Sequence, residues 1–220
     1  MNAEIEIPLF PLGVVLLPET LLPLHIFEER YKEMIGQCLA ESKEFGVVYF
    51  SGDEINRIGC SAQIVKLLKH YDNGEMDIVT VGTNRFFIKE LDETRAFFQA
   101  KIVLFDDDPE EETEDLKQLA ISGINLLEEL RNITGMESDE AIFKEDSDLR
   151  KVSFLISGND GFEPTEKQNF LEMTSTKKRL TNAVGALKKV IQRTRLSLEI
   201  QKIINGNGDA KKIMLKYGMK

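Results

Sequence analysis

The opening stretch Ile7-Pro8-Leu9-Phe10-Pro11-Leu12, followed by Leu22-Pro23-Leu24-His25-Ile26-Phe27, decides how the chain begins to fold. Four of its 6 prolines lie within the first 23 residues, inside one of its most apolar stretches. Apolar side chains call for burial, whereas a proline lacks the N–H that a strand donates and is confined to sheet edges, strand starts or bulges. Short strands that bend at the prolines and lead into a helix near Glu28 satisfy both demands. The stretch therefore predicts a small, strongly curved β domain.

Beyond this opening, the hydrophobic pattern predicts one helix and several strands. Apolar residues at helical spacing predict a helix over residues 28–40. Further strands are expected over 45–50, 58–69, 76–90 and 97–105. The Asn73-Gly74 pair between two of these strands is typical of a hairpin turn. Five or six strands with one helix suit a closed or nearly closed barrel, because closure removes exposed sheet edges.

An acidic segment follows the last predicted strand. Eight of the ten residues from Asp106 to Asp115 are carboxylates. Because like charges repel, we expect the segment to stay solvated and to act as a linker. A divalent-cation site is the alternative, but the EF-hand spacing with its turn glycine is missing. The predicted division is a β pseudo-barrel domain over 1–106, an acidic linker over 107–115, a helical bundle over 116–205 and a basic tail over 206–220.

The hydrophobic period becomes helical after the acidic segment. Helices are predicted over 116–135, over about 140–157, in a short piece that begins at Pro164, and over about 176–204. Gly158-Asn159-Asp160-Gly161 is expected to be a turn, and Gly206 is expected to end the last helix. Apolar stripes on helices usually face a core, so these helices are expected to form a small bundle against the barrel. The predicted fold class is α+β.

Several of these stretches, taken in order, resemble the amino-terminal substrate-recognition domain of the Lon proteases. The resemblance is carried by Pro8–Leu12, Leu22–Tyr31, Phe45–Val48, Ile58–Ile64, Val81–Ile88 and Thr165–Leu180, spread over roughly residues 5–190. It implies a PUA-like pseudo-barrel with one helix, followed by a helical bundle, and recognition of polypeptide. It carries over no catalytic residue. A full Lon protease also needs an ATPase and a Ser-Lys peptidase domain, and no Gly-x-x-x-x-Gly-Lys-Ser/Thr phosphate loop occurs here, so a stand-alone member is expected.

Composition and charge exclude several classes of partner. The formal net charge of −10 argues against nucleic acid and anionic membranes, which both require a cationic footprint. The prolines interrupt the one candidate membrane span, and the acidic amino terminus does not resemble a signal peptide, so we expect a cytoplasmic protein. Cys38 and Cys60 form neither a disulfide framework nor a metal knuckle and are interpreted as small buried hydrophobes.

The sequence supplies little catalytic chemistry. His25 and His70 have no cysteine, histidine or carboxylate at ligand spacing, so no metal or cofactor is predicted. His25 is expected to be packed with a satisfied ring, and His70 to be exposed. The spacing of the glycines forms no phosphate fingerprint and indicates bends of a curved sheet. No Gly-x-Ser-x-Gly elbow occurs. An ATP-independent peptidase would therefore need a serine and a lysine that the fold brings together from separate parts of the sequence.

The functional candidate that remains is the apolar surface of the amino-terminal half. An apolar groove or sheet edge would bind unfolded or partly folded polypeptide, or a protein partner. The residues expected to contact such a substrate are Phe10, Leu12, Leu22, Leu24, Phe27 and Tyr31. For each of them, filling the core is the alternative.

A second alternative is RNA binding, since other PUA-like barrels bind RNA. Its support is a basic cluster on the last predicted helix, formed by Lys177, Lys178, Arg179, Lys188, Lys189, Arg193 and Arg195. The same cluster is also interpreted as a solvated helix face, or as a set of cations that forms ion pairs with the acidic segment. The sequence does not define an oligomeric state.

Overall fold

In the part of the chain that the structure describes, a six-stranded sheet with one helix comes first, and four helices follow. The structure is a computed structural model that describes residues 4–52, 54–135 and 147–216, with the backbone alone over 205–216. The first part contains β1 (Ile5–Leu12), β2 (Leu21–Ile26), α1 (Glu29–Glu41), β3 (Phe45–Ser51), β4 (Glu54–His70), β5 (Met76–Asp92) and β6 (Gln99–Phe105). The second contains α2 (Glu114–Thr134), α3 (Leu149–Ser157), α4 (Pro164–Glu172) and α5 (Thr176–Lys216). The predicted α+β fold class is confirmed.

Five of the strands close into a barrel. Around the ring, β5 pairs with β4, β4 with β3, β3 with β1 and β1 with β6, and β6 pairs back with β5. The β1–β3 pair is parallel, and the other pairs of the ring are antiparallel. The closed barrel expected from the sequence is therefore present.

The prolines of β1 lie where only one side of the strand is hydrogen-bonded to a neighbouring strand. The first half of β1 pairs with β6, from Ile5 with Ile102 to Pro8 with Gln99. The second half pairs with β3, from Leu9 with Gly46 to Leu12 with Tyr49. Among the described strands, each half thus lacks a paired strand on its other side, which is a position that tolerates a residue without an N–H. The sequence prediction that the prolines lie at edge positions of the sheet agrees with this pairing.

The long strand β5 belongs to two parts of the sheet. Its second half lies in the barrel, while its first half, from Met76 to Val81, pairs with β2 on one side and with the end of β4 on the other. We call this three-stranded extension, formed by Leu21–Ile26, Gln63–His70 and Met76–Val81, the wing. The expected Asn73-Gly74 turn joins β4 to β5, with Gly74 at φ 81.

Gly82 marks the point where the wing meets the barrel. The loop before β2 crosses the sheet here, because Glu19 N donates to Gly82 O at 2.8 Å and Gly82 N donates to Thr20 O at 3.0 Å. A Cβ on Gly82 would lie 2.1 Å from the carbonyl oxygen of Leu17. The residue is thus needed for a close backbone approach, as well as for curvature of the sheet.

Two apolar clusters hold the molecule together. The barrel interior is filled by one cluster with the buried members Ile7, Leu9, Val48, Phe86, Ile88, Ala100 and Ile102. The second cluster runs from α1 and the wing through the loop before β2 to the helices α2, α3, α4 and α5. Because one continuous cluster includes both the strands and the helices, the helices pack on the barrel, as the sequence predicted. Among the helices of the described ranges, none has the length and apolar composition that crossing a bilayer requires.

The predicted solvated acidic linker is wrong at Asp107. Its side chain is only 7% exposed and forms ion pairs with the buried guanidinium groups of Arg85 and Arg179. Asp106 next to it pairs with Arg150 of α3, and the Asp108 carboxylate accepts a hydrogen bond from Thr174 at 2.8 Å. Opposite charges brought in by the fold outweigh the repulsion within the segment. The division of the chain into domains stays a prediction.

Two helix boundaries also differ from expectation. The prediction over 140–157 falls in part on residues outside the described ranges, including Ile142 and Phe143, and α3 begins at Leu149 after the N-cap Asp148. The predicted end of the last helix at Gly206 is wrong, because α5 continues to Lys216. One interior glycine costs a helix only about 1 kcal/mol relative to alanine, which does not end it.

Candidate recognition surface

The strand β2 forms one edge of the sheet. Among the described strands it pairs with β5 alone, from Leu21 with Val81 to Ile26 with Met76. Its side chains alternate, so that Leu22, Leu24 and Ile26 lie toward the core while Leu21, Pro23 and His25 are exposed. An edge strand presents unpaired N–H and C=O groups on its free side. The backbone of β2 can therefore accept a further strand.

Large apolar side chains are exposed around this edge. Leu21, at the start of β2, is 66% exposed, and Phe27, directly after β2, is 59% exposed. The end of β4 in the same wing adds exposed apolar side chains at Val65, Leu67 and Leu68. A scattered exposed apolar residue is ordinary, but Leu21 and Phe27 together at the ends of one edge strand indicate a contact surface. Leu67 pairs with Ile78, as Leu24 does, so it lies on the opposite face of the wing from Leu21.

A polar cluster holds the position of Phe27. His25 Nδ1 donates to Asp77 Oδ1 at 2.7 Å, and its ring is stacked on that of Phe27 with centroids 5.9 Å apart. The Tyr71 hydroxyl donates to the other oxygen of Asp77 at 2.7 Å. The hydrogen bonds from His25 and Tyr71 lower the pKa of Asp77 below its ordinary value. The cluster thus anchors the exposed phenyl ring to the wing.

The prediction that His25 is packed is wrong, although its ring is satisfied. Its side chain is 50% exposed, since β2 alternates and position 25 falls on the outer face. His70 is exposed, as predicted. Both cysteines are buried and free, which confirms their interpretation as small hydrophobes.

The structure separates the six predicted contact residues into three groups. The rings of Phe10 and Tyr31 are buried in the core with centroids 4.1 Å apart, so they support the surface from below. Leu12, Leu22 and Leu24 are half-buried and pack against the same core. Phe27 is exposed. As a substrate-binding set, the six residues stay a prediction.

Sequence reasoning missed the exposed apolar side chains at the end of β4. Val65, Leu67 and Leu68 lie where the register between β4 and β5 shifts at two bulges. A bulge breaks the two-residue alternation that separates inner from outer positions. The signal that was available is the apolar character of Val65, Leu67 and Leu68 in the strand that leads to the Asn73-Gly74 turn, because the end of a hairpin commonly projects from a sheet.

A family model for the ATP-dependent protease La (LON) substrate-binding domain matches residues 6–189. The chain belongs to this family. The Lon protease of Dictyoglomus thermophilum is 23% identical over 89% of this chain, and that of Rhizobium meliloti is 24% identical over 81%. These matches cover 26% and 23% of the two relatives, so the chain spans about a quarter of their length.

Solved structures of LON amino-terminal domains share the fold. The Lon N-terminal domain protein from Xanthomonas campestris superposes with a TM-score of 0.65 at 19% identity, covering 82% of this chain and 98% of that one. The N-terminal domain of the Mycobacterium avium complex Lon protease gives a TM-score of 0.61 at 16% identity, covering 83% and 98%. The resemblance inferred from the sequence is confirmed by these matches and by the family model.

The contacts of this LON domain bear on the two alternative functions, an ATP-independent peptidase and an RNA-binding module. The hydroxyl of Ser61 exchanges hydrogen bonds with Thr83 and with the backbone of Asn84, and these described contacts include neither lysine nor histidine. In the basic cluster, Arg179 is buried against Asp107, and Arg195 pairs with Glu129 at 2.8 Å. The interpretation that the cluster forms ion pairs with the acidic segment is thus correct at Arg179. Because Arg179 is buried, it is not available for contact with RNA.

Proposed function

We propose that this chain is a non-catalytic recognition module that binds unfolded or partly folded polypeptide through its wing. The observation that carries the proposal is the free edge of β2, flanked by the exposed side chains of Leu21 and Phe27. Membership of the LON substrate-binding family supports the same role. An unfolded chain can use both features of this surface. Its backbone can pair with the edge strand, and its accessible apolar side chains can contact Leu21 and Phe27.

The wing also limits how tightly it binds. Pro23 lies in the middle of β2 and has no N–H to donate, so an added strand cannot pair along the whole edge. Lys66 and Lys69 in β4 place charges beside the exposed apolar residues, which opposes uncontrolled association of edges. Ordering an unfolded segment costs further free energy. We expect a dissociation constant on the order of micromolar or weaker, suited to reversible capture.

The test uses fluorescence anisotropy of a labelled, reduced and carboxymethylated α-lactalbumin, titrated with this chain without nucleotide. A saturable rise that stays constant over an hour is the expected result. The double substitution Phe27→Ala and Leu21→Ser is expected to weaken binding by about tenfold or more, because tenfold corresponds to only ~1.4 kcal/mol of lost contact. Leu196→Ser on α5 is the matched control, since Leu196 is 57% exposed, close to the 59% of Phe27.

Two results would contradict the proposal. If the double variant binds as well as the wild type, the wing is not the contact surface. If the anisotropy falls below its starting value and the labelled protein is fragmented, the chain is a peptidase, and the description as non-catalytic is wrong.

A further inference from the structure

Two adjoining cavities open on the barrel, one of them where β1 and β3 begin. One has a volume of about 250 Å³. Its lining is mainly apolar, with Ile5, Ile7, Pro8 and Ile102, and also includes Glu6, Lys43, Glu44 and Ser61. The other, of about 210 Å³, lies between the barrel and α3. Its lining is mainly polar and charged, and also includes Pro18, Leu104, Phe105 and Phe154. Asn84 and Leu104 line both cavities. A ligand that passes over Asn84 therefore meets an apolar cavity on one side and a polar one on the other.

The first cavity suits a single apolar side chain. Ile7 and Ile102 are buried members of the barrel core, and Ile5, at 43% exposure, lies at the opening. Pockets for drug-sized ligands span roughly 300–1,000 Å³, so a cavity of this size is too small for most of them. A dry cavity of about 150 Å³ is already sufficient for benzene. One aliphatic or aromatic side chain matches the volume and lining.

The second cavity favours a neutral polar ligand over an anion. Each of the three cations at its wall already has a carboxylate partner. Arg85 pairs with Asp107, Arg150 with Asp106, and Lys151 with Glu19 at 2.9 Å. A phosphate or a carboxylate would have to compete with these ion pairs. Main-chain amides carry no net charge and meet the polar wall without displacing them.

Asn84, between the cavities, has the group that such a ligand requires. Its backbone is held by Ser61, since Asn84 N donates to Ser61 Oγ at 3.2 Å and Ser61 Oγ donates to Asn84 O at 3.3 Å. The described hydrogen bonds of Asn84 involve its backbone, and its side-chain amide is exposed and has no partner among them. A carboxamide presents a donor and an acceptor in one plane, which is the complement of a peptide group.

We propose that this end of the barrel is a second peptide-binding site. The apolar cavity takes one apolar side chain of an extended segment, and the Asn84 carboxamide pairs with the adjacent peptide group. The inference deepens the proposed function and rests on it, since a second contact would let one unfolded chain bind at two places. Two weak sites bridged by one polypeptide bind more tightly together than either does alone.

The test is an NMR titration of the full ¹⁵N-labelled chain with the blocked pentapeptide acetyl-Gly-Ser-Leu-Ser-Gly-amide. Saturable shifts are expected at the amides of Ile5, Asn84 and Ile102, and the peptide with serine in place of leucine is expected to produce none. Ile5→Glu places a charge at the cavity opening, and Asn84→Ala removes the carboxamide. Each is expected to weaken binding by about tenfold or more. Val14→Glu is the matched control, because Val14 is 44% exposed and lies outside both cavities.

The outcomes separate this proposal from the function of the wing. If the leucine peptide shifts nothing at the barrel end, or if Ile5→Glu and Asn84→Ala bind it like the wild type, the second site is overturned. The wing proposal then stands or falls on the α-lactalbumin titration alone. If the barrel end binds the peptide but the wing variant leaves α-lactalbumin binding unchanged, the second site holds and the wing proposal fails.

Discussion

The guanidinium of Arg179 contacts both carboxylate oxygens of Asp107, with Nη1 3.0 Å from each. Asp107 follows the last barrel strand and Arg179 lies in α5, so this contact joins the two parts of the chain. Arg85 of β5 binds the same carboxylate and also donates to the carbonyl oxygens of Leu171 and Met173. Burial lowers the pKa of Arg179 to about 10, which still leaves it charged at neutral pH. The barrel and the helices are thus connected by a buried ionic network.

Asp107→Asn is expected to destabilise the protein strongly. It leaves two buried guanidinium groups without their shared anion, and breaking a buried ion pair by removing one partner costs about 3–5 kcal/mol. The free energy of unfolding from urea titrations, followed by circular dichroism, measures the loss. Glu112→Gln, at an exposed position of the same acidic segment, is the control and is expected to change stability by less than about 0.5 kcal/mol. Equal urea midpoints for the two variants would contradict the role given to Asp107.

Gly82→Ala is expected to disrupt the junction of wing and barrel. The new Cβ would lie 2.1 Å from Leu17 O, a backbone atom fixed by the loop that crosses the sheet. Forcing it in costs about 1–3 kcal/mol or prevents folding. In contrast, Gly36→Ala in α1 places its Cβ in open space and is expected to stabilise the chain by up to about 1 kcal/mol. Thermal unfolding of the two variants gives the comparison, and a Gly82→Ala protein as stable as the wild type would show that the loop does not need this contact.

Neither cysteine is expected to react with a thiol reagent in the folded protein. Burial raises the pKa of Cys38 to about 11 and raises that of Cys60 further, so neither forms a thiolate near pH 8. Both thiols should react promptly after unfolding in concentrated guanidinium, and Cys38→Ser and Cys60→Ser assign the signals. Rapid modification of one equivalent without denaturant would contradict the burial described here.

The stability contributed by Asp77 is expected to depend on pH. Its pKa is held below the ordinary value of 3.8, so the contribution is present above that pH and is lost as the pH falls through the lowered pKa. Asp77→Asn should therefore lower the melting temperature at neutral pH, and its difference from the wild type should shrink as the solution is acidified below that value. Asp72→Asn, an exposed position in the same turn, is the control and should show no such convergence. A difference for Asp77→Asn that is independent of pH would contradict the assignment.

The sequence was most informative where signals were local. The Asn73-Gly74 turn, the helix after Phe27 and the proline-containing first strand were all predicted correctly, because each depends on neighbouring residues and on backbone chemistry. The LON-type barrel was expected from the resemblance that the ordered stretches between Pro8 and Leu180 carry. These features required no knowledge of long-range contacts.

The errors concern residues whose environment is set by distant parts of the chain. Arg179 belongs to a basic helix face in the sequence, but the fold places it against Asp107, and helical periodicity does not reveal that partner. The six expected substrate contacts stay a prediction, but apolarity alone did not separate inner positions such as Phe10 and Tyr31 from outer ones, because the strand register was not known. In the wing, two bulges removed even the alternation that would have identified the exposed residues of β4.

The closure of the barrel has a consequence for how the chain folds during synthesis. The partner of Ile5 is Ile102, so β1 completes its pairing only after β6 has also left the ribosome. Contacts between such distant positions carry a large loop-closure entropy and form slowly. Until then, the nascent chain exposes the apolar strand Ile5–Leu12 with part of its backbone unpaired. A protein that is proposed to recognise unfolded chains is thus itself a substrate of that kind until its own barrel closes.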